Sequence, residues 1–230
     1  MVVTIHQPEH LPWLGLFDKI RRADLFVILD CVQFRKNYFQ NRNRIRTENG
    51  WTWITVPVKR PLFAPINEIR IDLSSPLRQH YFNLIRDHYR EAPYFHTYFP
   101  ALQELILSSE DKLSAVNVGL LEYVLGQLEI KTPFVLASHL GVKSEAGGSN
   151  VVFSICKHVG ARTYLSGVSG PDYLELYRFR ENGIQVEIQD FQHPTYRQLH
   201  EPFVPCMSVI DLLFNQGPKS REVVRAGVIS

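Results

Sequence analysis

The sequence predicts an α/β fold with a mostly parallel sheet, and three observations support this prediction. Apolar, β-rich segments alternate with segments of helical periodicity along the chain. The strand-like segments have charged neighbours, as is typical of strands buried on both faces of a parallel sheet. The chain has 230 residues, of which 45% are hydrophobic and 21% charged, and this composition is that of a globular protein with an ordinary core.

The first thirty residues predict a βαβ unit. Val2 to His6 is rich in β-branched residues and predicts the first strand. After a loop marked by prolines, Trp13, Phe17 and Ile20 recur three or four positions apart, as on one face of a helix. The apolar segment Leu25 to Leu29 predicts a second, parallel strand.

An antiparallel hairpin and a helical insert are predicted next. Asn43 to Arg46 and Trp51 to Val58 flank an Asn-Gly pair, which is a strong hairpin signal, and Ile69 to Leu73 can add a strand. We expect residues 74–130 to form a mainly helical subdomain within a single α/β domain that spans residues 1–230. Its predicted helices are Pro76 to Arg90, Tyr94 to Leu107 and Asp111 to Leu128.

The carboxyl-terminal part returns to the α/β pattern, which predicts a Rossmann-like sheet with helices on both faces. Its predicted strands are Phe134 to Ala137, Thr163 to Leu165 and Gln185 to Asp190. Its predicted helices are Ser149 to His158, Pro171 to Glu181, Ser208 to Phe214 and Lys219 to Arg225.

Composition and charge exclude several classes of protein. The formal net charge is +2, so no global field attracts nucleic acid or an anionic membrane. No apolar segment approaches the roughly 18 to 20 residues of a membrane span. Cys31, Cys156 and Cys206 lack the spacing of a disulfide framework or a zinc site. We expect a cytoplasmic protein without a nucleic-acid partner, a membrane span or a metal, and the oligomeric state stays open.

Ligands of parallel sheets collect beyond the carboxyl ends of the strands, and the first polar cluster follows the first predicted strand. It contains His6, Gln7, His10 and Trp13. His10 suits proton transfer or phosphate contact near a helix start. A capped helix start explains the same residues equally well. A metal site at His6 and His10 lacks a third ligand at a recognised spacing.

A second cluster follows the second strand. Asp30 and Gln33 precede a segment dense in amides and guanidinium groups, which suit oxyanions and sugar hydroxyls. The alternatives are a solvated basic hairpin and RNA binding. The candidate binding residues in this segment are Asn41, Arg42, Asn43 and Arg44.

A third cluster joins a strand end to a helix through small residues. Such a segment can hold a phosphate or carboxylate, although a helix cap by Ser169 explains part of it. Its candidate residues are Ser166, Gly167, Ser169, Gly170 and Tyr173.

The fourth cluster lies near the end of the chain and comprises His193, Tyr196, Gln198, Asp211 and Asn215. Asp211 lies in an apolar segment, where a carboxylate requires a partner. Catalysis and the anchoring of a loop are equally compatible with it. A serine hydrolase is excluded because the chain lacks a GxSxG elbow.

These motifs together resemble the WbqC-like protein family of bacterial surface-polysaccharide gene clusters, over nearly the whole chain. Cys31 stands where a second acidic residue is usual, and His10 where an aromatic residue is common. The segments that carry the resemblance are QPEHLPWLGLFDKI, RADLFVILD-x-VQF, QNRNRI, APYF, KTPF, YLSGVSGPDYL, HPTYRQ and SVIDLLFNQG. A fainter similarity links the opening segment to pantothenate-synthetase-type nucleotidyltransferases, but Trp13 stands where their second loop histidine would be.

The resemblance implies an enzyme of surface-glycan, O-antigen or lipopolysaccharide biosynthesis that transfers an acyl or glycyl group to a sugar amine. His10 or His193 would be the base, Asp30 and Asp211 would orient it or bind the sugar, and the remaining candidates would bind substrate and phosphate. The expected acceptor is an amino sugar or nucleotide sugar, and the cofactor is an activated acyl donor such as acyl-CoA, or ATP with magnesium. The alternatives are an acyl-adenylate-forming ligase or nucleotidyltransferase, and a noncatalytic protein that binds nucleotide sugars or glycans.

Overall fold

The fold is described by a computed structural model that covers residues 1–59, 61, 63–108, 111–142 and 147–227. The strands are β1 (Val2–His6), β2 (Leu25–Ile28), β3 (Arg42–Thr47), β4 (Gly50–Thr55), β5 (Val58–Lys59), β6 (Arg70–Ile71), β7 (Phe134–Leu136), β8 (Thr163–Ser166) and β9 (Gln185–Ile188). The helices are α1 (Leu14–Arg21), α2 (Leu77–Tyr89), α3 (Phe95–Leu107), α4 (Leu113–Gln127), α5 (Gly147–His158), α6 (Leu176–Glu181), α7 (Val209–Gln216) and α8 (Ser220–Ala226).

A five-stranded parallel sheet forms the centre of the molecule, in the order β7-β2-β1-β8-β9. From β1 the chain first builds outward through β2 and β7, and later returns to the other side of β1 to add β8 and β9. The direction of winding therefore reverses between β1 and β8. At such a switch point the adjoining loops diverge and leave a crevice beyond the carboxyl ends of the strands. The predicted α/β fold with a Rossmann-like parallel sheet is confirmed.

Helices cover both faces of this sheet because its side chains alternate between two apolar cores. Phe26 and Ile28 point into the larger core, which α1 to α4, α7 and α8 share. Val27, between them, points into the smaller core with residues of α5 and α6. All three side chains are almost completely buried, as expected for strands covered on both faces. No helix among the described residues is long and apolar enough to span a membrane.

The antiparallel hairpin is β3–β4, and its strands pair from Arg42 with Thr55 to Thr47 with Gly50. Gly50 has a φ of +136°, a conformation that glycine adopts most readily. The predicted second strand continues to Val58, but the observed strand ends at Thr55, shortly before Pro57, which has no N–H group for the ladder. Val58 instead begins β5, which pairs with β6.

The central helices lie close to their predicted positions, with α4 starting two residues later than expected at Leu113. Their buried side chains share one core with α1 and α7. The assignment of residues 74–130 as a subdomain of a single domain stays a prediction.

One predicted helix is wrong over its first half. The helix expected from Pro171 begins only at Leu176, and Gly170–Asp172 forms a single 3₁₀ turn. Tyr173 has φ −137°, outside the helical region, so the turn cannot continue into α6. The result is an irregular, largely exposed loop after β8, on the side of the crevice.

Candidate functional site

The polar groups at the switch point centre on His6, the last residue of β1. His6 Nε2 lies 3.1 Å from Glu9 Oε1, and His6 Nδ1 lies 3.2 Å from Lys19 Nζ. Lys19 Nζ also donates to the carbonyl oxygen of Ile5 at 3.3 Å. We refer to Glu9, His6 and Lys19 as the crevice array. The Glu9 carboxylate accepts a hydrogen bond from Nε2–H, so Nδ1 is the nitrogen that accepts a hydrogen bond from Lys19.

Burial gives the crevice array its unusual electrostatics. Lys19 is only 3% exposed, and burial lowers the pKa of its ammonium group to about 8, although the Glu9 charge acts in the opposite direction. The His6 side chain is 32% exposed, whereas that of Glu9 is 7% exposed. His6 therefore connects a buried amine with the solvent side of the crevice.

Lys19 is held at the array because α1 is anchored to the end of β9. Gln189 donates from Nε2 to the carbonyl oxygen of Gly15 at 2.8 Å and to Asp18 Oδ2 at 3.0 Å. Asp18 also accepts from Arg21 Nη2 at 2.8 Å. These hydrogen bonds fix Gly15 and Asp18, the neighbours of Lys19 in α1.

Trp13 packs its indole ring against the first turn of α1. A Cβ atom at Gly15 would lie 2.3 Å from that ring, so only glycine permits the contact. The ring also stacks on His193, with centroids 6.2 Å apart.

Glu9 and Lys19 are not among the site residues predicted from the sequence. The available signal for Lys19 was its position in α1, three residues after Leu16 and one before Ile20, on a face that is otherwise apolar. A lysine at a buried helical position is rare unless it has partners. Its partners come from β1 and the following loop, and only the fold brings them together.

His10 lies in the same loop but in a different environment. It is 0% exposed, and its Nδ1 and Nε2 lie 2.9 Å from Asn117 Oδ1 and 2.8 Å from Tyr81 Oη, respectively. Burial lowers the pKa of the imidazole to about 4. Both nitrogens are occupied by Asn117 and Tyr81, and the lowered pKa makes the imidazole a weak base, so this geometry does not fit a catalytic base.

His193 lies in an aromatic cluster with Trp13, Phe191, Tyr196 and Phe203. Its Nδ1 donates to the carbonyl oxygen of Pro194 at 2.9 Å, and Nε2 is buried without a partner among the described residues. Burial lowers the pKa of this imidazole. The cluster places the predicted residues Trp13, His193 and Tyr196 together, but encloses the basic nitrogen.

Asp211 has the partners that its apolar surroundings require. Its carboxylate accepts hydrogen bonds from Tyr89 Oη at 2.8 Å, from Tyr196 Oη at 2.7 Å and from Gln198 Nε2 at 2.8 Å. The side-chain amide of Asn215 donates to the backbone oxygen of Asp211 at 2.7 Å. Burial raises the pKa of the carboxyl group. All members of the predicted fourth cluster except His193 thus join one closed network that anchors the carboxyl-terminal loop.

Asp30 joins two neighbouring loops at the carboxyl edge of the sheet. It is 2% exposed, and its carboxylate accepts hydrogen bonds from the amide and the hydroxyl of Ser138 at 2.9 and 2.6 Å. Gln33 is exposed on the same side of the molecule. Asp30 is therefore a positioning residue of the edge in this geometry.

The predicted amide and guanidinium cluster divides into two groups. The amides of Asn41 and Asn43 are buried and donate to backbone oxygens, at Val56 and at His10 and Leu11, respectively. They hold the hairpin against the first loop. The guanidinium groups of Arg42 and Arg44 instead lie on the outer face of the hairpin, over tryptophan rings.

Gln7 connects the crevice to this second cluster. Its Oε1 accepts from Gln40 Nε2 at 2.6 Å, and Gln40 is completely buried. Gln7 itself is half-buried, one residue after β1.

The predicted third cluster starts at the end of β8, beside β1. Ser166 is buried, and its hydroxyl donates to the carbonyl oxygen of Gly167 at 3.1 Å. A Cβ atom at Gly170 would lie 2.0 Å from that hydroxyl, which explains the glycine. Ser169 and Tyr173 are exposed. Ser166 and Gly167 thus lie at the same carboxyl edge of the sheet as the crevice array, and an exposed loop follows them.

The strand order defines a doubly wound α/β protein, a class in which ligands are expected at the switch point between β1 and β8. Its sequence matches the WbqC-like protein family over residues 7–223, and the chain belongs to this family. The uncharacterized protein Rv1507c of Mycobacterium tuberculosis is 33% identical over 227 residues, which cover 97% of each chain. No solved structure matches the chain. The family resemblance is confirmed, whereas the polysaccharide context and the similarity to nucleotidyltransferases stay predictions.

Proposed function

We propose that this WbqC-like protein is an amide-forming transferase that moves an acyl or aminoacyl group, such as glycyl, onto the amine of a sugar. The crevice array carries the proposal. It contains a lysine whose pKa is near the working pH, an imidazole that accepts from it and a carboxylate that orients the imidazole. General bases are effective when their pKa lies near the operating pH, and burial is the usual means of adjusting a lysine to this range.

The mechanism begins with proton transfer. A sugar amine is protonated in part near neutral pH, and an ammonium group cannot attack a carbonyl carbon. The neutral Lys19 amine accepts one proton from it, and the new Lys19 ammonium is stabilised by His6 Nδ1 and the Ile5 oxygen, the contacts observed. The freed amine forms a C–N bond to the acyl carbon. The second amine proton leaves with the donor's leaving group as the bond to that group breaks.

The surrounding groups suit a polar, phosphate-bearing substrate. The crevice lies where doubly wound sheets bind nucleotides, and Ser166 to Gly170 borders it with small residues. We assign this segment and Gln7 to substrate and phosphate binding. Either an activated acyl donor such as acyl-CoA, or ATP with magnesium, would supply the energy of the amide bond. The described structure contains free thiols, which agrees with a cytoplasmic role in surface-glycan biosynthesis.

The test is product formation detected by mass spectrometry. Nucleotide-linked amino sugars are incubated with glycyl and acyl donors, including acyl-CoA, and the expected product is the N-acylated sugar. Lys19→Met should lower turnover by about 100-fold or more. The matched control is Lys157→Met, because Lys157 is exposed on α5. Tight binding of nucleotide sugars with no product from any donor would overturn the transferase and favour the noncatalytic alternative.

A second candidate is an ATP-dependent ligase that forms an acyl-adenylate. The observation that favours it is the strand order, with the switch point next to the first strand, as in nucleotide-binding doubly wound sheets. Exchange of labelled pyrophosphate into ATP, dependent on glycine or another acid, would identify this activity. Its absence across a panel of acids, with product formed from acyl-CoA, would exclude it.

A further inference from the structure

A row of connected aromatic rings extends from the loop before β3 onto the β3–β4 hairpin. Tyr38 contacts Phe39, Phe39 contacts Trp53 and Trp53 contacts Trp51, with centroids 5.5, 5.7 and 5.5 Å apart. Trp51 is 44% exposed and Tyr38 is 41% exposed, so both ends of the row are open to solvent. We call these four residues the aromatic strip.

Three arginines accompany the strip. The guanidinium carbon of Arg42 lies 4.0 Å from the Trp53 ring centroid, that of Arg44 lies 5.2 Å from Trp51, and that of Arg35 lies 5.9 Å from Tyr38. Within the described part of the chain, no carboxylate forms an ion pair with any of the three. A cation–π contact restrains each guanidinium group while its charge stays uncompensated, which is an arrangement suited to an anion.

The same arginines have unused donors. Arg44 Nη2 donates to the carbonyl oxygen of Cys206 at 3.1 Å, and Arg42 Nη2 donates to that of Asn37. Among the described residues, Nη1 of neither arginine has a hydrogen-bond partner. Beside Arg42 lies a groove of about 350 Å³ that Lys36, Asn41 and the carboxylate of Asp72 also line. Anchored guanidinium groups with free N–H donors match the planar geometry of a carboxylate.

The strip leads toward the crevice. Tyr38 lies in the loop after β2, and Tyr173 lies in the loop after β8. Burial raises the pKa of the Tyr173 phenol, and the nearby Tyr38 phenol contributes to the same increase. The inner end of the strip is therefore close to the loop that borders the switch point.

We propose that the aromatic strip and its three arginines bind an acidic oligosaccharide, with sugar faces packed on the rings and carboxylates held by the guanidinium groups. Successive rings are tilted by 54° to 87° rather than parallel, which does not suit the continuous stacking of bases in a single RNA strand. The formal net charge of +2 also provides little attraction for a polyanion. The binding site does not depend on the proposed transferase activity, because it requires no turnover.

The test measures binding by calorimetry and by the fluorescence of Trp51 and Trp53. The probes are tetragalacturonic acid, the neutral maltotetraose and octauridylate. Wild-type protein should bind tetragalacturonic acid at least about ten-fold more tightly than maltotetraose, because charge-assisted hydrogen bonds supply the difference. Trp51→Ala and Arg35→Gln should each weaken this binding about five-fold or more.

Both substituted side chains are largely exposed, so these variants should fold normally, which circular dichroism verifies. Tyr177→Ala is the matched control, since Tyr177 is 65% exposed on α6, outside the strip, and its substitution should leave binding unchanged. The proposal is overturned if tetragalacturonic acid does not bind, if octauridylate binds more tightly, or if the strip variants bind like wild-type protein.

Discussion

Two histidines only four positions apart, one at the end of β1 and one in the loop after it, have opposite environments. His6 is partly exposed between a carboxylate and an ammonium group, whereas His10 is completely buried between an amide and a phenol. The partners of His10 lie 71 and 107 residues away in the sequence. The partners of a histidine therefore decide whether its ring can exchange protons or only supports the fold. The crevice array is suited to moving protons, and the His10 contacts are suited to holding α2 and α4 against the loop after β1.

The largest expected effect is a loss of turnover on substitution of His6 that substitution of His10 should not cause. His6→Gln should reduce turnover about 100-fold, because the Lys19 ammonium that forms in the reaction loses its Nδ1 acceptor, while the free energy of unfolding changes by less than about 1 kcal/mol. The measurements are the rate of product formation and urea denaturation. If His6→Gln retained turnover within a few-fold of wild type, the crevice array would not be the catalytic group.

The next effect uses the pKa of Lys19. In the unfolded chain this lysine has the ordinary pKa of 10.5, and in the folded protein about 8. Between these values the unfolded state binds more protons, so the contribution of Lys19 to stability should rise with pH, by about 3 kcal/mol in total. Urea denaturation from pH 7 to 10.5 should show this rise in wild-type protein relative to Lys19→Met. Parallel curves for the two proteins would contradict the buried, shifted lysine.

A smaller effect concerns His10. His10→Ala leaves Asn117 Oδ1 and Tyr81 Oη without partners and opens a cavity, so the free energy of unfolding should fall by about 2 to 3 kcal/mol. Turnover per folded molecule should stay within a few-fold of wild type. The wild-type protein should also lose stability as the pH falls from 6.5 toward 4. In this range the His10 imidazole is protonated in the unfolded chain, with its pKa of 6.5, but stays neutral in the folded protein, where its pKa is about 4. A large loss of turnover with normal stability would instead restore His10 as the base.

The smallest effect extends the comparison to the second closed network. Asp211→Asn keeps the shape of the side chain but replaces one acceptor oxygen by an NH2 group. At least one of the Tyr89, Tyr196 and Gln198 donors then loses its acceptor, so the free energy of unfolding should fall by about 1 to 2 kcal/mol. Asp172→Asn, at an exposed position, is the control. A substantial fall in turnover per folded Asp211→Asn molecule would show that this network does more than hold the loop.

The parallel strands were predictable because short apolar segments with charged neighbours have few alternative structures. The residues at strand ends were predictable for the same reason, which is how His6, Gln7 and Ser166 were selected. The partners of those residues were not predictable. The residues next to His10 and His6 in the sequence do not distinguish their environments. Lys19 resembles an ordinary surface lysine of a helix, because its partners Ile5 and His6 lie in β1.

The switch point also has a consequence for how the protein is made. β1 pairs with β8, so residues 2–4 meet residues 163–165 only after more than two thirds of the chain has been synthesised. Contacts of such large sequence separation form slowly, because a long loop must close before they contribute. The crevice can therefore assemble only after β8 leaves the ribosome, and until then one edge of β1 stays unpaired. The earlier β1, β2 and α1 can form first, so the helix that supplies Lys19 is in position before the strand that completes the other wall.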